Sequence, residues 1–439
     1  MKALLMQTYS VLSGLLSLFL IPLFLTRPRG RARLWQRFGS WNISENRQII
    51  WLHGASIGEI SALLPLIRET RERFPKFAIL VTATSVTGLD TAKLEADHVR
   101  LLPFDSSWWF ARAFRGLNVA SCLIAETEIW PAMLYFASTR NIPVCYVNAR
   151  ISKYSWPTYK KFRIILRALL NDISHFYIGD AFSNLCFFEI GIPKEKLSLN
   201  GSTKYDSGLN PDIESAGEIL RRTYFIGKGP LIVLGSLRPG EEQVWFPAIR
   251  ECLDRFPQVG FIVAPRHEEK FEYFAESLKR AGIFYSRWSC DFVEAAHSNV
   301  SVLLLDTFGK LKVAYAAGDA AFIGGTLTDI GGHNALEAAS YKCALGLGPF
   351  RSNIMDVVDE LLQQNAFAEI RSTTEAVAFV EMVVTEPDRV SAMADRAFAV
   401  WLKSQGASSR IVDSMYAVLE GEKRADHLGT GSSKHQIAV

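Results

Sequence analysis

The amino-acid sequence predicts an α/β protein made of two Rossmann-like domains that face each other across a cleft. The chain has 439 residues, of which 49% are hydrophobic, so it is too long for one ordinary core and too apolar for a disordered chain. Short apolar runs alternate with amphipathic segments in two blocks, a pattern typical of parallel sheets covered by helices on both faces. A polar stretch at about residues 206–229 separates the two blocks.

The first segment is an uncharged run from Ala3 to Thr26, long enough as a helix to cross the hydrocarbon core of a bilayer. Basic residues flank it and no acidic residue precedes Glu45, so the positive-inside rule keeps the main body in the cytoplasm. A cleaved signal peptide would carry its charge before the apolar run instead. Pro22 and the serines also permit a helix that lies in the membrane interface, and a buried core helix is a third alternative. The flanking basic residues are Lys2, Arg27, Arg29, Arg31, Arg33 and Arg37.

The first block of alternating elements begins near residue 48, and the second begins at Leu231. Ligands of such sheets bind at the carboxyl ends of the parallel strands. The predicted organisation is an anchor with its basic flank over 1–32, a first Rossmann-like domain over 33–215, a second Rossmann-like domain with closing helices over 216–424, and a flexible tail over 425–439. The predicted strands of the first block are Ile49–Leu52, Phe77–Thr82, Val99–Leu102, Ser121–Ala125, Pro143–Val147 and Phe176–Ile178. Those of the second block are Leu231–Leu234, Gly260–Ala264, Val300–Leu304, Ala320–Ile323 and Cys343–Gly346.

The distribution of charge argues against a nucleic-acid-binding protein. Outside the amino-terminal segment, 42 basic residues stand against 45 acidic ones, whereas a nucleic-acid binder would spread an excess of basic residues over a binding face. The six cysteines are scattered without a Cys-x-x-Cys pair, and there is no Asp-x-Asp pair to hold a phosphate-bound divalent metal. We therefore expect no nucleic acid as a partner, no metal and no cofactor.

The segment His53–Glu59 follows the first strand and opens the first helix. Ser56 and Glu59 have the spacing of a capping box, in which the two side chains satisfy free amides at the helix end. A carboxylate at a helix amino terminus also stays ionised, so Glu59 is equally a candidate general base. Gly58 would let a substrate approach the backbone closely.

Two further strand ends of the first block carry charged residues. Glu126 and Glu128 come directly after one strand, and Arg150 ends the next. A solvated loop, or a turn with a surface salt bridge, would explain each of these alone. Because the ends of neighbouring parallel strands meet at one edge of a sheet, we expect His53, Ser56, Glu126 and Arg150 to lie on the same rim.

The second block has a glycine-rich segment before a helix, which favours phosphate binding. Gly331 and Gly332 precede His333 and Asn334, although Asn334 could also serve as a simple helix cap. Glu337 lies about one turn into the helix, where its carboxylate could accept hydrogen bonds from ribose hydroxyls. Arg266 and Ser236 end neighbouring strands and could contact the same phosphate.

In chain order, the segments H-G-A-S-I-G-E, E-T-E-I-W-P, N-A-R, P-R-H and G-G-H-N-A-L-E resemble the 3-deoxy-D-manno-octulosonic acid (Kdo) transferases. The resemblance extends from about residue 33 to about residue 415. It implies an inverting, metal-independent glycosyltransferase of the GT-B fold that uses CMP-Kdo and the lipid A precursor lipid IVA. It also implies that the anchor holds the enzyme at the cytoplasmic face of the inner membrane.

Carried over position by position, the resemblance assigns Glu59 as the catalytic base and Glu126 and Glu128 to the acceptor side. Kdo is itself a carboxylate, with which Arg150 or Lys204 could pair. The family commonly shows Ser-Thr-His where this chain has Ser236-Leu237-Arg238, and Gly-Asn-x-Lys where it has Gly201-Ser202-Thr203-Lys204. The predicted acceptor-binding residues are Ser56, Gly58, Glu126, Glu128, Arg150 and Lys204, and the predicted CMP-Kdo-binding residues are Ser236, Arg266, Gly331, Gly332, His333, Asn334, Glu337 and Asn353.

Two other functions stay open from the sequence. One is another GT-B enzyme that uses a UDP-sugar, either a transferase or an epimerase. The other is a non-catalytic membrane protein that binds lipid A precursors. The ordered set of motifs and the anchor favour Kdo transfer over the first, and the retained Glu59 argues against the second.

Overall fold

The computed structural model describes residues 2–26, 31–206, 209–289 and 300–416, and the chain divides into two compact units. Residues up to Ser207 and from Gln405 onward form the first unit, and Gly208–Ser404 forms the second. Each unit contains one seven-stranded parallel sheet. The predicted α/β class with two parallel sheets is therefore confirmed.

The first sheet has a topological switch point between two of its strands. Its strands are β1 (Ile49–His53), β2 (Ala78–Ala83), β3 (His98–Leu101), β4 (Val119–Ala125), β5 (Val144–Ala149), β6 (His175–Ile178) and β7 (Leu197–Leu199). They pair in the order β3–β2–β1–β4–β5–β6–β7, so the strand order reverses between β1 and β4. Every residue of β1, β2 and β5 is buried, which explains their almost continuous apolar sequences. We predicted six of these strands and missed β7, a three-residue edge strand.

Helices cover both faces of the first sheet. One apolar cluster joins Trp51 of the sheet to Phe110, Leu170 and Phe187 on three helices. A second cluster, on the other face, contains Ile50. The helices are α1 (Lys2–Phe19), α2 (Ile21–Thr26), α3 (Leu34–Arg37), α4 (Ile57–Arg73), α5 (Val86–Ala92), α6 (Ser107–Ala113), α7 (Pro131–Thr139), α8 (Trp156–Lys161), α9 (Arg163–Leu170) and α10 (Ala181–Ile190).

The uncharged amino-terminal run forms two helices, α1 and α2, where we expected one anchor helix. The helical hydrogen-bond pattern is interrupted at Leu20, because Pro22 lacks the amide that would continue it. No helix among the described residues is both long and apolar enough to span a membrane. Arg27 and Arg29 of the basic flank lie outside the described residues.

Helix α1 packs on α6 and α7 through its small and polar residues. The buried positions of α1 are Met6, Ser10, Gly14 and Ser17, which recur at helical spacing along one face. Its leucines and its terminal Phe19 face away from the unit: Leu12 is 62% exposed and Phe19 is 80% exposed. The usual arrangement of an amphipathic helix, with the apolar face turned inward, is thus reversed.

The second sheet repeats the doubly wound pattern. Its strands are β8 (Leu231–Leu237), β9 (Gly260–Pro265), β10 (Ser286–Arg287), β11 (Val302–Leu304), β12 (Ala320–Ile323), β13 (Ala344–Leu347) and β14 (Phe367–Glu369). They pair in the order β10–β11–β9–β8–β12–β13–β14, with the reversal between β8 and β12. The five predicted strands correspond to β8, β9, β11, β12 and β13. The two short edge strands were not predicted.

Eight described helices belong to the second unit. The pair α12 and α17 packs on one apolar cluster that includes Trp245 and Phe379. These helices are α11 (Pro211–Tyr224), α12 (Glu242–Arg255), α13 (Phe271–Arg280), α14 (Leu311–Ala317), α15 (Ala335–Ala339), α16 (Met355–Gln363), α17 (Thr373–Thr385) and α18 (Pro387–Lys403).

The chain returns to the first unit after α18, whereas we had assigned residues 216–424 together to the second. A last helix, α19 (residues 407–416), places Ile411 in the cluster on the face of the first sheet that holds Ile50. The Asp206 carboxylate accepts hydrogen bonds from the amides of Gly406 at 2.8 Å and Ser408 at 2.5 Å. The predicted tail, 425–439, lies outside the described residues.

Candidate functional site

Glu59 lies at the start of α4, immediately after β1, and two donors hold its carboxylate. The Ala55 amide donates to Oε2 at 2.7 Å, and the Ser56 hydroxyl donates to Oε1 at 2.8 Å. The Glu59 amide donates to Ser56 Oγ at 3.2 Å, which completes the capping box. The amino end of this 17-residue helix adds a favourable field for negative charge. The cap therefore fixes the carboxylate in one orientation, so the structural and functional interpretations of the motif are compatible.

The solvent side of this motif is open. Ser56 and Gly58 are exposed, and a β-carbon added at Gly58 would meet no atom closer than 3.8 Å. His53, by contrast, is fully buried, with Nδ1 2.9 Å from Thr82 Oγ1. Burial lowers the pKa of His53 to about 4. His53 is thus a neutral core residue, and our expectation that it lies on the rim was wrong.

The loop from Glu126 to Trp130 joins β4 to α7 and carries the two predicted acceptor-side carboxylates. Glu126 has a left-handed backbone with φ of 57°, which costs about 1 kcal/mol or more for a residue other than glycine. Its carboxylate accepts a hydrogen bond from Lys204 Nζ at 2.8 Å. Thr127 Oγ1 accepts from the Arg150 amide at 3.0 Å and donates to the Arg150 carbonyl at 2.6 Å. The structure therefore brings Glu126, Lys204 and Arg150 together on one edge of the first sheet.

Glu128 lies on the same loop, in a partly buried and negatively charged setting. Trp130 Nε1 donates to its carboxylate at 2.9 Å, and the Tyr146 hydroxyl donates to its main-chain carbonyl at 2.7 Å. Burial raises the pKa of Glu128, and the charges of Glu59 and Glu126 raise it further. Glu128 consequently holds a proton more readily than an ordinary glutamate.

Asn148 is a positioning residue that we did not predict, because only Arg150 of the N-A-R segment was assigned a role. It is buried near the end of β5 with a left-handed φ of 56°, and its side chain exchanges two hydrogen bonds with Thr203, at 2.8 and 2.9 Å. Thr203 Oγ1 also donates to the Ala62 carbonyl of α4 at 2.5 Å. Since Lys204 follows Thr203 directly, these bonds fix the turn that brings Lys204 to Glu126. Left-handed backbone thus occurs at two neighbouring strand ends of this edge, at Glu126 and Asn148.

The corresponding edge of the second sheet carries cations. The Arg266 amide donates to the Leu237 carbonyl at 3.0 Å, which sets Arg266 beside the end of β8. Arg238 follows β8 and contacts the His267 ring nitrogen Nε2 through Nη1. Across the part of the chain that the structure describes, no carboxylate pairs with either guanidinium. Both groups are therefore available to an anionic ligand.

His333 lies in the same positive environment. Burial and the charges of Arg266, Arg238 and His267 lower its pKa to about 4. Its buried Nε2 has no hydrogen-bond partner among the described residues. His333 is therefore a neutral ring at this edge at physiological pH.

Glu241 is a second positioning residue that we did not predict. Its fully buried carboxylate accepts amide hydrogen bonds from Arg238 at 2.8 Å, Gly325 at 2.9 Å and Leu327 at 3.0 Å. These amides come from the loops after β8 and β12. One carboxylate therefore holds both loops of the cationic edge.

The predicted phosphate segment is tightly packed against its own neighbours. Gly331 and Gly332 have left-handed φ angles of 93° and 87°. A β-carbon at Gly331 would lie 3.0 Å from the Asn353 amide nitrogen, and one at Gly332 would lie 3.0 Å from Thr326 Cγ2. Backbone conformation and close packing thus explain both glycines.

The helix that follows this segment is weaker as an anion site than we expected. It is α15, which has only five residues, and Asn334 caps it by accepting the Leu336 amide at 3.1 Å. The amides of Gly332 and His333 already donate to carbonyls of the chain, at 2.7 and 3.2 Å. The charge of a bound phosphate would therefore be met mainly by Arg266 and Arg238.

The remaining predicted donor-side residues lie around these loops. Ser236 is buried near the end of β8 and has a left-handed φ of 57°, like the strained residues of the first unit. Burial raises the pKa of Glu337, while the charges of Lys312 and Arg266 oppose the shift. The exposed Asn353 donates through Nδ2 to the Ile330 carbonyl at 2.6 Å.

The described ranges contain no group of three or more His, Cys, Asp or Glu side chains that could hold a metal ion. The five described cysteines are free and buried, so they are thiols of the apolar cores. They are Cys122, Cys145, Cys186, Cys252 and Cys343.

Comparison with solved structures defines the class of fold. A UDP-GlcNAc 2-epimerase from Neisseria meningitidis aligns with a TM-score of 0.59 and 14% identity, over 84% of this chain and 99% of that one. At this identity the likeness concerns the fold alone. Two doubly wound units of this kind, with charged strand ends, define a protein of the GT-B type.

Comparison of sequences defines the family. The model of the 3-deoxy-D-manno-octulosonic-acid transferase family matches residues 32–207. A 3-deoxy-D-manno-octulosonic acid transferase from Haemophilus influenzae is 30% identical over 399 residues, which cover 90% of this chain and 93% of that protein. One from Chlamydia trachomatis is 28% identical over 78% of this chain and 79% of that protein. The chain belongs to the Kdo transferase family, and it is a glycosyltransferase that transfers Kdo in lipopolysaccharide biosynthesis.

Proposed function

We propose that the chain transfers Kdo from CMP-Kdo to the lipid A precursor lipid IVA, by direct displacement with inversion and without a metal ion. The observation that carries the proposal is the geometry of Glu59. Its carboxylate is held by two donors at the end of a helix, and the adjacent Gly58 leaves the approach open.

In this reaction Glu59 removes the proton from a sugar hydroxyl of the acceptor. The hydroxyl oxygen then bonds to the anomeric carbon of Kdo while the bond from that carbon to the CMP phosphate oxygen breaks. The transition state has oxocarbenium character, as in glycosyl transfer generally. Burial and the charges of Glu59 and Glu126 raise the pKa of Glu128, which favours a hydrogen-bonding role for Glu128 toward the acceptor, whereas the oriented carboxylate of Glu59 is assigned as the base.

CMP-Kdo carries a phosphate and a carboxylate, so its binding site needs cations. Arg238 and Arg266 provide two guanidinium groups without a carboxylate partner in the described ranges. Guanidinium groups match the planar, bidentate geometry of carboxylate and phosphate oxygens. Ser236, Asn334, Glu337 and Asn353 border the same loops and are proposed to contact the nucleotide.

The acceptor is a lipid, and two exposed apolar surfaces on the first unit support attachment to an anionic bilayer at the cytoplasmic face of the inner membrane. The first is the outward leucine face of α1. The second comprises α8, α9 and the turn before α8, and it presents Tyr154 (96% exposed) and Ile164 (80% exposed) among basic side chains. The exposed basic residues of this second surface are Lys153, Lys160, Lys161, Arg163 and Arg167. Apolar side chains ringed by lysine and arginine are typical of helices that lie in a membrane interface.

Mass spectrometry of the reaction products tests the proposed reaction. Purified protein with CMP-Kdo and lipid IVA in detergent micelles should give a product heavier by one or more Kdo units, in a buffer containing a metal chelator. Lipid binding without transfer would support a non-catalytic lipid-binding protein instead. Transfer or epimerisation of a UDP-sugar, with no reaction of CMP-Kdo, would support the rival GT-B activity.

Sedimentation with vesicles of phosphatidylethanolamine and phosphatidylglycerol tests the attachment. The unmodified protein should sediment with the vesicles, and Leu12→Glu and Ile164→Glu should each weaken the binding. Protease should degrade the protein in inverted inner-membrane vesicles and spare it in intact spheroplasts. Degradation in spheroplasts, or unchanged vesicle binding in both variants, would refute the assignment.

A further inference from the structure

Helix α1 makes more polar contacts with the first unit than attachment to a membrane requires. Ser10 Oγ accepts the Ser107 amide at 2.6 Å, and Trp109 Nε1 donates to Ser17 Oγ at 3.0 Å. At Gly14 the helix comes so close that an added β-carbon would lie 2.9 Å from Ser106 Oγ. These contacts fix both the position and the rotation of α1 on the unit.

Asp105 is the centre of this docking. Ser13 Oγ donates to its carbonyl at 2.5 Å, and the Tyr9 hydroxyl donates to its carboxylate at 2.9 Å. Burial and the negative charge of Asp105 raise the pKa of Tyr9, so the hydroxyl keeps its proton and remains the donor.

The same carboxylate also holds the beginning of α7. Asp105 Oδ2 accepts the Ala132 amide at 3.2 Å, and Oδ1 accepts the Met133 amide at 3.0 Å. The residue in the usual capping position, Trp130, gives no side-chain cap to this helix. Asp105 therefore acts as the cap of α7 from a distant part of the sequence.

Helix α7 begins at Pro131, directly after the loop that carries Glu126 and Glu128. Within the loop, Thr127 exchanges two hydrogen bonds with Arg150, and further bonds to Glu126 and Glu128 come from Lys204 and Tyr146. Asp105 holds the carboxyl end of the loop, and α1 in turn contacts Asp105.

We propose that α1 is a positioning element for the acceptor loop of residues 126–130, acting through Tyr9 and Asp105. The inference depends on the proposed acceptor role of that loop. It assigns α1 a second role besides its lipid-facing leucines: its inward face sets the geometry in which Glu128 meets the acceptor. Tyr9 and Asp105 are positioning residues, since neither is proposed to contact the substrate.

Hydrogen–deuterium exchange of the Ala132 and Met133 amides measures the coupling without any substrate. Tyr9→Phe removes one hydrogen bond to a charged group, so these amides should exchange roughly tenfold faster. Gly14→Val, which forces α1 away from Ser106, should have a similar or larger effect. The matched control is Thr8→Val, because the exposed Thr8 hydroxyl donates only within α1, to the Leu4 carbonyl. Unchanged exchange at both amides in Tyr9→Phe and Gly14→Val would overturn the proposal.

Steady-state kinetics in detergent micelles, where membrane attachment is irrelevant, measure the consequence. Tyr9→Phe should reduce kcat/KM for the lipid acceptor severalfold and leave the KM for CMP-Kdo and vesicle binding unchanged. Asp105→Asn, whose side-chain amide cannot accept both α7 amides, should have a larger effect in the same direction. Equal losses for donor and acceptor, or a loss of vesicle binding alone, would refute a positioning role. If the unmodified chain transfers no Kdo at all, the proposed function fails, while the exchange experiment still decides the coupling.

Discussion

The two sheets present strand-end edges that differ in charge and in how the charged groups are held. The first edge is acidic, and its carboxylates are held by donors: Glu59 by Ala55 and Ser56, Glu126 by Lys204, and Glu128 by Trp130. The second edge is cationic, and within the described ranges Arg238 and Arg266 have no carboxylate partner.

This difference indicates that the two edges have different roles, one in catalysis and one in binding. A general base works only if its lone pair is aimed at one proton, so a carboxylate that is held in one orientation suits catalysis. A guanidinium group without an internal partner gains most from an incoming anion, so it suits binding. The acidic edge is thus suited to proton removal from the acceptor, and the cationic edge to the anionic donor.

The largest effect is expected at Glu59. Glu59→Gln keeps the capping box, because glutamine can replace glutamate at this position, but it removes the base. We expect the turnover number to fall about 10²- to 10⁴-fold, with little change in melting temperature. The matched control is Glu72→Gln, an exposed position on the same helix.

Ser56→Ala separates the two roles of this motif. It should cost about 1 kcal/mol of stability through the lost cap and affect turnover less than Glu59→Gln does. If the turnover number of Glu59→Gln lies within twofold of that of the unmodified enzyme, Glu59 is only a helix cap and not the base.

Acid should destabilise both units, because each contains one neutral histidine whose pKa is lowered to about 4, mainly by loss of solvent around the ring: His53 in the first unit and His333 in the second. The ordinary value is about 6.5, so between these limits the unfolded chain takes up protons that the folded chain does not. Stability is therefore fully present above about pH 6.5 and falls by up to about 3 kcal/mol per histidine as the pH approaches 4. Urea denaturation from pH 7.5 to 4.5 measures this slope. His333→Gln should flatten it, and an identical slope in that variant would contradict the assignment.

Arg238→Gln should weaken donor binding. Loss of a hydrogen bond to a charged group costs about 1.5–3 kcal/mol, which corresponds to a rise in the KM for CMP-Kdo of roughly tenfold to a hundredfold. The KM for the acceptor should stay unchanged. Arg250→Gln, an exposed arginine on α12, is the matched control. A change in the KM for the acceptor, with no change in the KM for CMP-Kdo, would refute the assignment of the second edge to donor binding.

The smallest effect on stability is expected at Lys204. Its ion pair with Glu126 is more than one-third exposed on both sides, and such pairs contribute at most about 1 kcal/mol. Lys204→Gln should therefore shift the urea midpoint little while lowering kcat/KM for the acceptor. A large loss of stability would show that the pair serves the fold and not the site.

The fold was predictable from the sequence where the apolar pattern of consecutive residues determines an element. All the longer parallel strands were found because burial on both faces gives them continuous apolar sequences. The edge strands β7, β10 and β14 have only two or three residues and leave too little pattern to detect. The return of α19 to the first sheet depends on long-range contacts such as the bonds from Asp206 to Gly406 and Ser408, which no local pattern indicates.

The site was predictable where a motif is local, as in the capping box of Ser56 and Glu59. The positioning residues were missed because their partners are distant in the sequence. Asn148 bonds to Thr203, Glu241 bonds to Gly325, and Asp105 joins Tyr9 to Ala132. Gly331 and Gly332 gave an error of the other kind, because their motif predicted a phosphate site more strongly than the structure supports. Close packing requires both glycines, and the amides of Gly332 and His333 already donate to carbonyls of the chain.

Calorimetric titration of CMP gives the most direct test of the different roles of the two edges. It compares the unmodified protein with Glu59→Gln and Arg266→Gln. Glu59→Gln should bind CMP as tightly as the unmodified protein. Arg266→Gln should bind CMP at least about tenfold more weakly, because a charge-assisted bond to phosphate is lost. Equal weakening in both variants, or tight binding of CMP by Arg266→Gln, would contradict these different roles.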